Sequence, residues 1–262
     1  MPGSRAALSL ALALTLALPA PIHTAFAEER RDITAMMEAA TVWIVTEDED
    51  EDIGRGSGFI VGDGYIVTNA HVVNDAQVVY VLNERISVRE AEIVDLIHEY
   101  EDEGRTQTVS GSDLALLRFT PPKGVKLPIL SFNCDVKRAD RISAWGYPVM
   151  VTDLDGSSEI LEEGDMSKLQ PPPVVYTEGT VNAIVRDRLG SSILHSAAIA
   201  GGNSGGPLVN GKGEVVGINT WGHQEEDEGA FLNGAQPAKE IVAFLVSNGV
   251  APKLALGQCT EI

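Results

Sequence analysis

Short apolar runs broken by glycine, proline and acidic clusters set the pattern of this chain. Thr41 to Thr46 reads as a first strand. Gly58 to Val61 and Tyr65 to Thr68 flank Gly62-Asp63-Gly64, which is a hairpin signal. Gln77 to Leu82 and Val88 to Leu96 add two more strands, and Asp113 to Phe119 reads as a buried one. Arg141 to Gly146 opens a second half. Val174 to Val185 carries a strand-pair signal around Thr177-Glu178-Gly179-Thr180-Val181. Ile193 to Ala198, Val215 to Trp221 and Gly229 to Leu232 complete the set. Helical spacing shows in two places. Glu28 to Ala40 puts Ile33, Met36, Met37 and Ala40 near one face, as a short helix or a disordered tail. Pro237 to Asn248 has Ile241, Phe244 and Leu245 at helical spacing, with Gly249 just past its end.

The irregular stretches organise the rest. Glu47 to Asp52 is six consecutive acidic residues. The run lacks the alternation and the glycine of an EF-hand loop, so it reads as a solvated hairpin tip. His98 to Glu103 reads as an exposed acidic loop, and Glu225 to Glu228 as another hairpin tip. Pro121 to Pro128 marks a crossover between two halves. Thr152 to Pro173, acidic and ending in three prolines, reads as a long surface loop. Met1 to Ala27 has the form of a signal peptide. Arg5 supplies the positive end, Ala6 to Leu18 the apolar run, and Ala25-Phe26-Ala27 the cleavage pattern. Nothing after it has the length of a membrane span, so an exported protein, periplasmic or secreted, without stable membrane insertion is expected.

At 262 residues the chain is long enough for two six-stranded barrels or one large β unit. The formal net charge of −19 argues against nucleic acid as a partner, because phosphate binding needs a basic surface. It is the charge of a soluble surface, or of one that steers a cationic partner. Cys134 and Cys259 are the two cysteines. Export permits a disulfide between them; the alternative is one buried and one unordered thiol.

The chemistry centres on Gly201-Gly202-Asn203-Ser204-Gly205-Gly206-Pro207-Leu208. A serine hydroxyl is a poor nucleophile unless a base and oxyanion donors stand beside it. Here Gly202 and Ser204 can turn two backbone N–H groups into one small space. Upstream, Thr68-Asn69-Ala70-His71-Val72-Val73 places His71 at a strand end, and Asp113 stands at the mouth of Leu114-Ala115-Leu116-Leu117. A buried carboxylate needs a partner, and an imidazole N–H is a suitable one. The order is His, Asp, Ser.

Those segments, with Gly56-Ser57-Gly58-Phe59-Ile60, Trp145-Gly146-Tyr147-Pro148 and Val216-Gly217-Ile218-Asn219-Thr220, resemble trypsin-like serine peptidases of the chymotrypsin fold, nearest the HtrA/Deg branch. The resemblance implies an all-β architecture of two six-stranded antiparallel barrels with a C-terminal helix. Residues 28–262 would form the peptidase domain, with barrel one at about 41–120, barrel two at about 129–236 and the helix at about 237–248. His71 would be the general base, Asp113 its orienting acid and Ser204 the nucleophile, with Gly202 and Ser204 as the oxyanion hole. Ala198 would sit at the base of the specificity pocket, with Ile199, Asn219, Thr220 and Trp221 on its walls, giving an apolar pocket. Asn203 carries no charge, so activation by a freed N-terminus, as in trypsin, is not expected. The chain ends about a dozen residues after the helix, which leaves no room for the C-terminal peptide-binding domain of many HtrA/Deg proteins. Protein or peptide substrates, unfolded ones among them, are implied, and no metal or organic cofactor is needed. The competing reading is a non-catalytic binding protein on the same scaffold, and an esterase is a third.

Overall fold

The computed structural model describes residues 22–98, 112–186, 190–224, 231–255 and 259, with backbone alone at 22–29, 221–224 and 231. The leader run Met1 to Leu18, the acidic residues 99–103 and the tip Glu225 to Glu228 lie outside the described residues. A helix α1 (Ile22–Ala40) precedes the sheets. It begins six residues before the helix read from the sequence, and the expected Ala27 cleavage point falls within it. No described helix is long and apolar enough to cross a membrane.

Strands β1 (Thr41–Glu47), β2 (Ile53–Gly62), β3 (Tyr65–Thr68), β4 (Val78–Asn83), β5 (Ile86–His98) and β6 (Asp113–Phe119) close into one barrel in the order 1-2-3-6-5-4. Strands β7 (Arg141–Gly146), β8 (Val175–Arg186), β9 (Ser191–His195), β10 (Pro207–Asn210), β11 (Val215–Gln224) and β12 (Phe231–Pro237) close a second in the order 7-8-9-12-11-10. All ladders are antiparallel, and the two circuits have the same topology without a visible sequence repeat. The all-β, two-barrel expectation therefore holds. Closure removes the free edges that would otherwise pair with other chains.

Each barrel has its own apolar filling. Ile44, Ile60, Ile66 and Leu117 are among those inside barrel one. Ile142, Ile193, Leu208 and Val216 are among those inside barrel two. A third cluster forms the seam, where Phe59 and Leu116 of barrel one meet Val215 and Ile218 of barrel two. The last helix, α4 (Ala238–Ser247), adds Ile241, Phe244 and Leu245 to that seam. Full burial of such side chains stabilises by about 2 kcal/mol each. The helix stops where Gly249 takes φ +72°, with Gly249 N–H on Val246 O and Val250 N–H on Leu245 O. That is the paired C-terminal cap in which a left-handed glycine satisfies the last carbonyls. Cys134 and Cys259 are joined in a disulfide across 125 residues of chain.

The stretch read as a surface loop, Thr152 to Pro173, is instead a helical cover. It holds the end of α2 (Val149–Leu154), all of α3 (Ser157–Glu162) and a 3₁₀ turn at Met166–Lys168. The reason lies in barrel one. Strand β1 is buried on both faces, and its outward residues Trp43 and Val45 need a lid. Leu161 and Leu169 of the insertion, with Tyr147, pack on Trp43, Val45 and Leu82. Arg55 of β2 pins the insertion through one guanidinium nitrogen. It donates to Thr152 Oγ1 (3.1 Å), Asp153 Oδ1 (2.9 Å) and Ser158 Oγ (2.7 Å). The Ser158 hydroxyl and Arg55 hold the Asp153 carboxyl below its usual range.

Candidate active site

The site lies at the seam between the barrels. Barrel one delivers a histidine and a carboxylate. After β3 the chain turns through a short 3₁₀ segment, Ala70–Val72, that carries His71. Ala70 is buried beneath it, while His71 is 35% exposed, so the imidazole is anchored yet reachable. Asp113 opens β6 with a fully buried side chain. Its Oδ1 accepts the His71 backbone N–H at 2.9 Å, and its Oδ2 faces His71 Nδ1 at 2.5 Å. A carboxylate taken out of water needs such bonds to offset its lost hydration. The second bond assigns the imidazole proton to Nδ1 and leaves Nε2 as an acceptor.

Further bonds hold this pair in place. Asp113 N–H donates to Gln236 Oε1 (3.2 Å), and Asn69 Nδ2 donates to Asp113 O (2.7 Å) and Thr220 Oγ1 (3.3 Å). Gln236 lies on β12 and Thr220 on β11, so barrel two braces a pair that belongs to barrel one. His98, read as part of an exposed loop, ends β5 instead, in register with Asp113, with its Nδ1 3.5 Å from Asn74 Nδ2.

Barrel two supplies Ser204, on the loop from β9 to β10. The loop needs glycine where its backbone presses on its neighbours. Gly202 has φ +93°, and a Cβ there would stand 2.4 Å from Tyr147 O. Gly205 has φ +85°, and a Cβ there would stand 2.1 Å from Ser57 O. Either contact is too close for any side chain. Carbonyls in the loop are pinned from outside. Val149 N–H donates to Gly201 O (2.9 Å), Ser57 Oγ–H to Gly202 O (2.6 Å) and Ser57 N–H to Ser204 O (2.8 Å). Among the described residues, no acceptor is paired with the N–H of Gly202 or of Ser204. The peptide unit is planar and trans, so the Gly202 N–H lies on the edge opposite the Gly201 carbonyl that Val149 holds. The Ser204 hydroxyl donates to Thr220 O at 3.3 Å rather than to the imidazole.

The other residues named from the sequence are placed as follows. Ala198 is exposed, and its carbonyl accepts from Thr177 Oγ1 (2.6 Å). Ile199 is half-buried against the filling of barrel two. The side chains of Asn219 and Thr220 are turned into the fold. Both are buried; Asn219 Nδ2 donates to Gly206 O (3.0 Å) and Pro207 O (3.3 Å), and Thr220 Oγ1 donates to Ile218 O (3.1 Å). The Asn219 amide thus holds the end of the Ser204 loop, while the Thr220 hydroxyl links β11 to Asn69. Trp221 pairs with Gly234 in the β11–β12 ladder, and its side chain lies outside those described. Ser57, Asn69 and Gln236 were not read from the sequence as supports of the site. Ser57 did carry a signal, since it sits between two glycines whose added Cβ atoms would strike Val72 and Ile66.

A second histidine, His195 at the end of β9, is fully buried. Neither ring nitrogen has a well-aligned hydrogen-bond partner among the described residues. Burial pushes its pKa down to about 4, and the Ala197 backbone offsets only part of that shift. It is neutral at physiological pH.

Two closed barrels with this loop at their seam define the chymotrypsin-like class of fold. The family described as "Trypsin-like peptidase domain" matches residues 56–218, more than half of the chain, and the chain belongs to that family. Among curated relatives it is similar to serine protease Do-like HtrA of Bacillus subtilis, 32% identical over 143 residues, 53% of this chain and 29% of that protein. It is also similar to the Do-like HtrB of the same organism, 29% identical over 165 residues, 60% of this chain and 34% of that protein. Human serine protease HTRA3 is 32% identical over 134 residues, 51% of this chain and 26% of that protein. The chain thus spans about a third or less of the length of these relatives. Among solved structures, the serine endoprotease from Yersinia pestis superposes with a TM-score of 0.58 at 27% identity, covering 84% of this chain and 67% of that one. The HtrA-type protease AlgW with tripeptide gives 0.60 at 23% identity over 84% of this chain and 64% of that one, which speaks for the fold alone.

Proposed function

We propose that this chain is an exported serine endopeptidase that cleaves peptide bonds through an acyl-enzyme. The observation that carries the reading is the His71–Asp113 pair, with both carboxylate oxygens committed to one histidine. In this reading Ser204 Oγ, after turning from Thr220 O, attacks the scissile carbonyl carbon. Its proton passes to His71 Nε2 as the new C–O bond forms. Asp113 stabilises the resulting imidazolium. The N–H groups of Gly202 and Ser204 receive the oxyanion, and each such donor contributes about 3 kcal/mol. Collapse breaks the C–N bond, and His71 gives its proton to the leaving amine. Water then repeats the sequence and frees the acid. Leaving Thr220 O costs the serine about 1 kcal/mol, a small part of what the oxyanion donors return.

The substrates would be proteins or peptides. Ser196-Ala197-Ala198-Ile199-Ala200 carries no charge, so the residue accepted before the scissile bond would be apolar rather than Lys or Arg. The test is a fluorophosphonate probe and unfolded casein, offered to the mature protein and to Ser204→Ala. Labelling and cleavage, both lost in the variant, are expected. Absence of both from the folded native protein would favour the binding-scaffold reading.

A further inference from the structure

Ser57 belongs to barrel one, yet nearly all it does is done for the nucleophile loop of barrel two. It is fully buried, and all its polar groups are engaged. Its N–H donates to Ser204 O at 2.8 Å, and its carbonyl accepts Thr68 Oγ1 at 2.7 Å. Its hydroxyl donates to Gly202 O at 2.6 Å and accepts the Tyr147 N–H at 2.9 Å. One residue therefore joins β2, both residues of the oxyanion site and the chain that enters the helical insertion.

We propose that Ser57 is a positioning residue for the oxyanion site, with its hydroxyl locking the backbone on which the Gly202 and Ser204 N–H groups depend. The inference rests on the reading of Ser204 as nucleophile. Gly201 and Gly202 have no side chains, so several backbone conformers lie close in energy at these positions. What selects one of them is the set of donors on the carbonyls. Of the donors on Gly201, Gly202 and Ser204, Val149 N–H and Ser57 N–H are main chain and resist substitution, while the Ser57 hydroxyl on Gly202 O comes from a side chain. Removing it leaves Gly202 O and Tyr147 N–H unpaired in a buried seam, a state that favours rotation of the Gly202–Asn203 peptide toward other partners. Negative charge develops on the oxyanion only in the transition state. Loss of alignment therefore lowers kcat and spares substrate binding.

The experiment compares wild type, Ser57→Ala and Ser57→Cys on one fluorogenic peptide, with a peptide boronic acid as oxyanion mimic. Binding of the uncleaved peptide is measured in the Ser204→Ala background with and without Ser57→Ala. Ser57→Ala is expected to lower kcat about 10- to 100-fold, below the cost of deleting an oxyanion donor outright. Boronate affinity falls by a similar factor, while peptide binding is unchanged. Ser57→Cys, whose thiol is a weak donor, falls between. A folded Ser57→Ala with wild-type kcat overturns the proposal. So does equal loss of boronate and peptide affinity, the mark of a merely structural residue. If Ser57→Ala does not fold, Ser57→Cys decides: reduced kcat with peptide binding intact supports the proposal, and wild-type kcat overturns it. A wild-type protein that neither labels nor cleaves refutes the underlying reading and this inference together. An active wild type with an indifferent Ser57 refutes the inference alone.

Discussion

Replacing Asp113 by asparagine tests how the buried pair sets the histidine. The two side chains have the same shape, and both carboxylate oxygens have assigned work. Oδ1 accepts the His71 backbone N–H at 2.9 Å, a bond only an oxygen can make. The asparagine oxygen must therefore stay at that position, which puts its NH₂ group opposite His71 Nδ1. Nδ1 then becomes the acceptor and the ring proton moves to Nε2. An imidazole protonated at Nε2 cannot take a proton from Ser204. The expected loss is about 10⁴ in kcat at neutral pH, as the wrong tautomer produces in enzymes of this chemistry. That loss equals about 5 kcal/mol of transition-state stabilisation. Both hydrogen bonds persist with donor and acceptor exchanged at one of them, so stability should change by only about 1 kcal/mol. The assay is steady-state cleavage of a fluorogenic peptide, with thermal unfolding alongside. A folded Asp113→Asn protein retaining more than about a tenth of wild-type kcat would show that the tautomer is not what Asp113 supplies.

Three further outcomes are expected. Because burial holds His195 at about 4, below its ordinary value of 6.5, the unfolded chain binds the extra proton first as pH falls. Urea titrations should show stability lost between roughly pH 6.5 and 4, by up to about 3 kcal/mol, and His195→Leu should flatten the curve there. Opening the Cys134–Cys259 link by Cys134→Ser frees a 125-residue span and should cost about 4 kcal/mol, read as a lower denaturant midpoint. Arg55→Ala removes three bonds to the insertion and should cost about 1–2 kcal/mol, with faster limited proteolysis between Met150 and Lys168; unchanged proteolysis would mean that the apolar contacts with Trp43 and Leu82 alone hold the cover.

The barrels were legible because their strands are bounded by strong turn chemistry. Gly62-Asp63-Gly64 and the acidic run after Glu47 both fall between paired strands. The insertion was not legible, for a physical reason. Its helices are six residues each, too short for a 3.6-residue period to appear, and the prolines that follow speak more loudly. A subtler signal was present in Val42-Trp43-Ile44-Val45, apolar at every position where a strand facing water on one side would alternate. That run required something to lie over barrel one. At the site, residue type and chain order picked out His71, Asp113 and Ser204 as candidates, because few side chains can serve as base or nucleophile. The supports were hidden for the opposite reason. Asn219, Gln236 and Ser57 act through ordinary hydrogen bonds to main chain, and any polar residue in a strand could make one. Only the fold shows that the Asn219 amide turns inward to Gly206 and Pro207.

The bond from Asp113 N–H to Gln236 spans 123 residues. A chain synthesised from its amino end exposes His71 and Asp113 long before β12 leaves the ribosome. Until then the carboxylate has no brace from the second barrel, and the Ser57 hydroxyl has no nucleophile loop to hold. The Gln236 brace cannot form in a fragment that ends before β12, however well barrel one folds by itself. In the proposed reading, order of synthesis acts as a safety catch, because the activity must wait until the second barrel has been made.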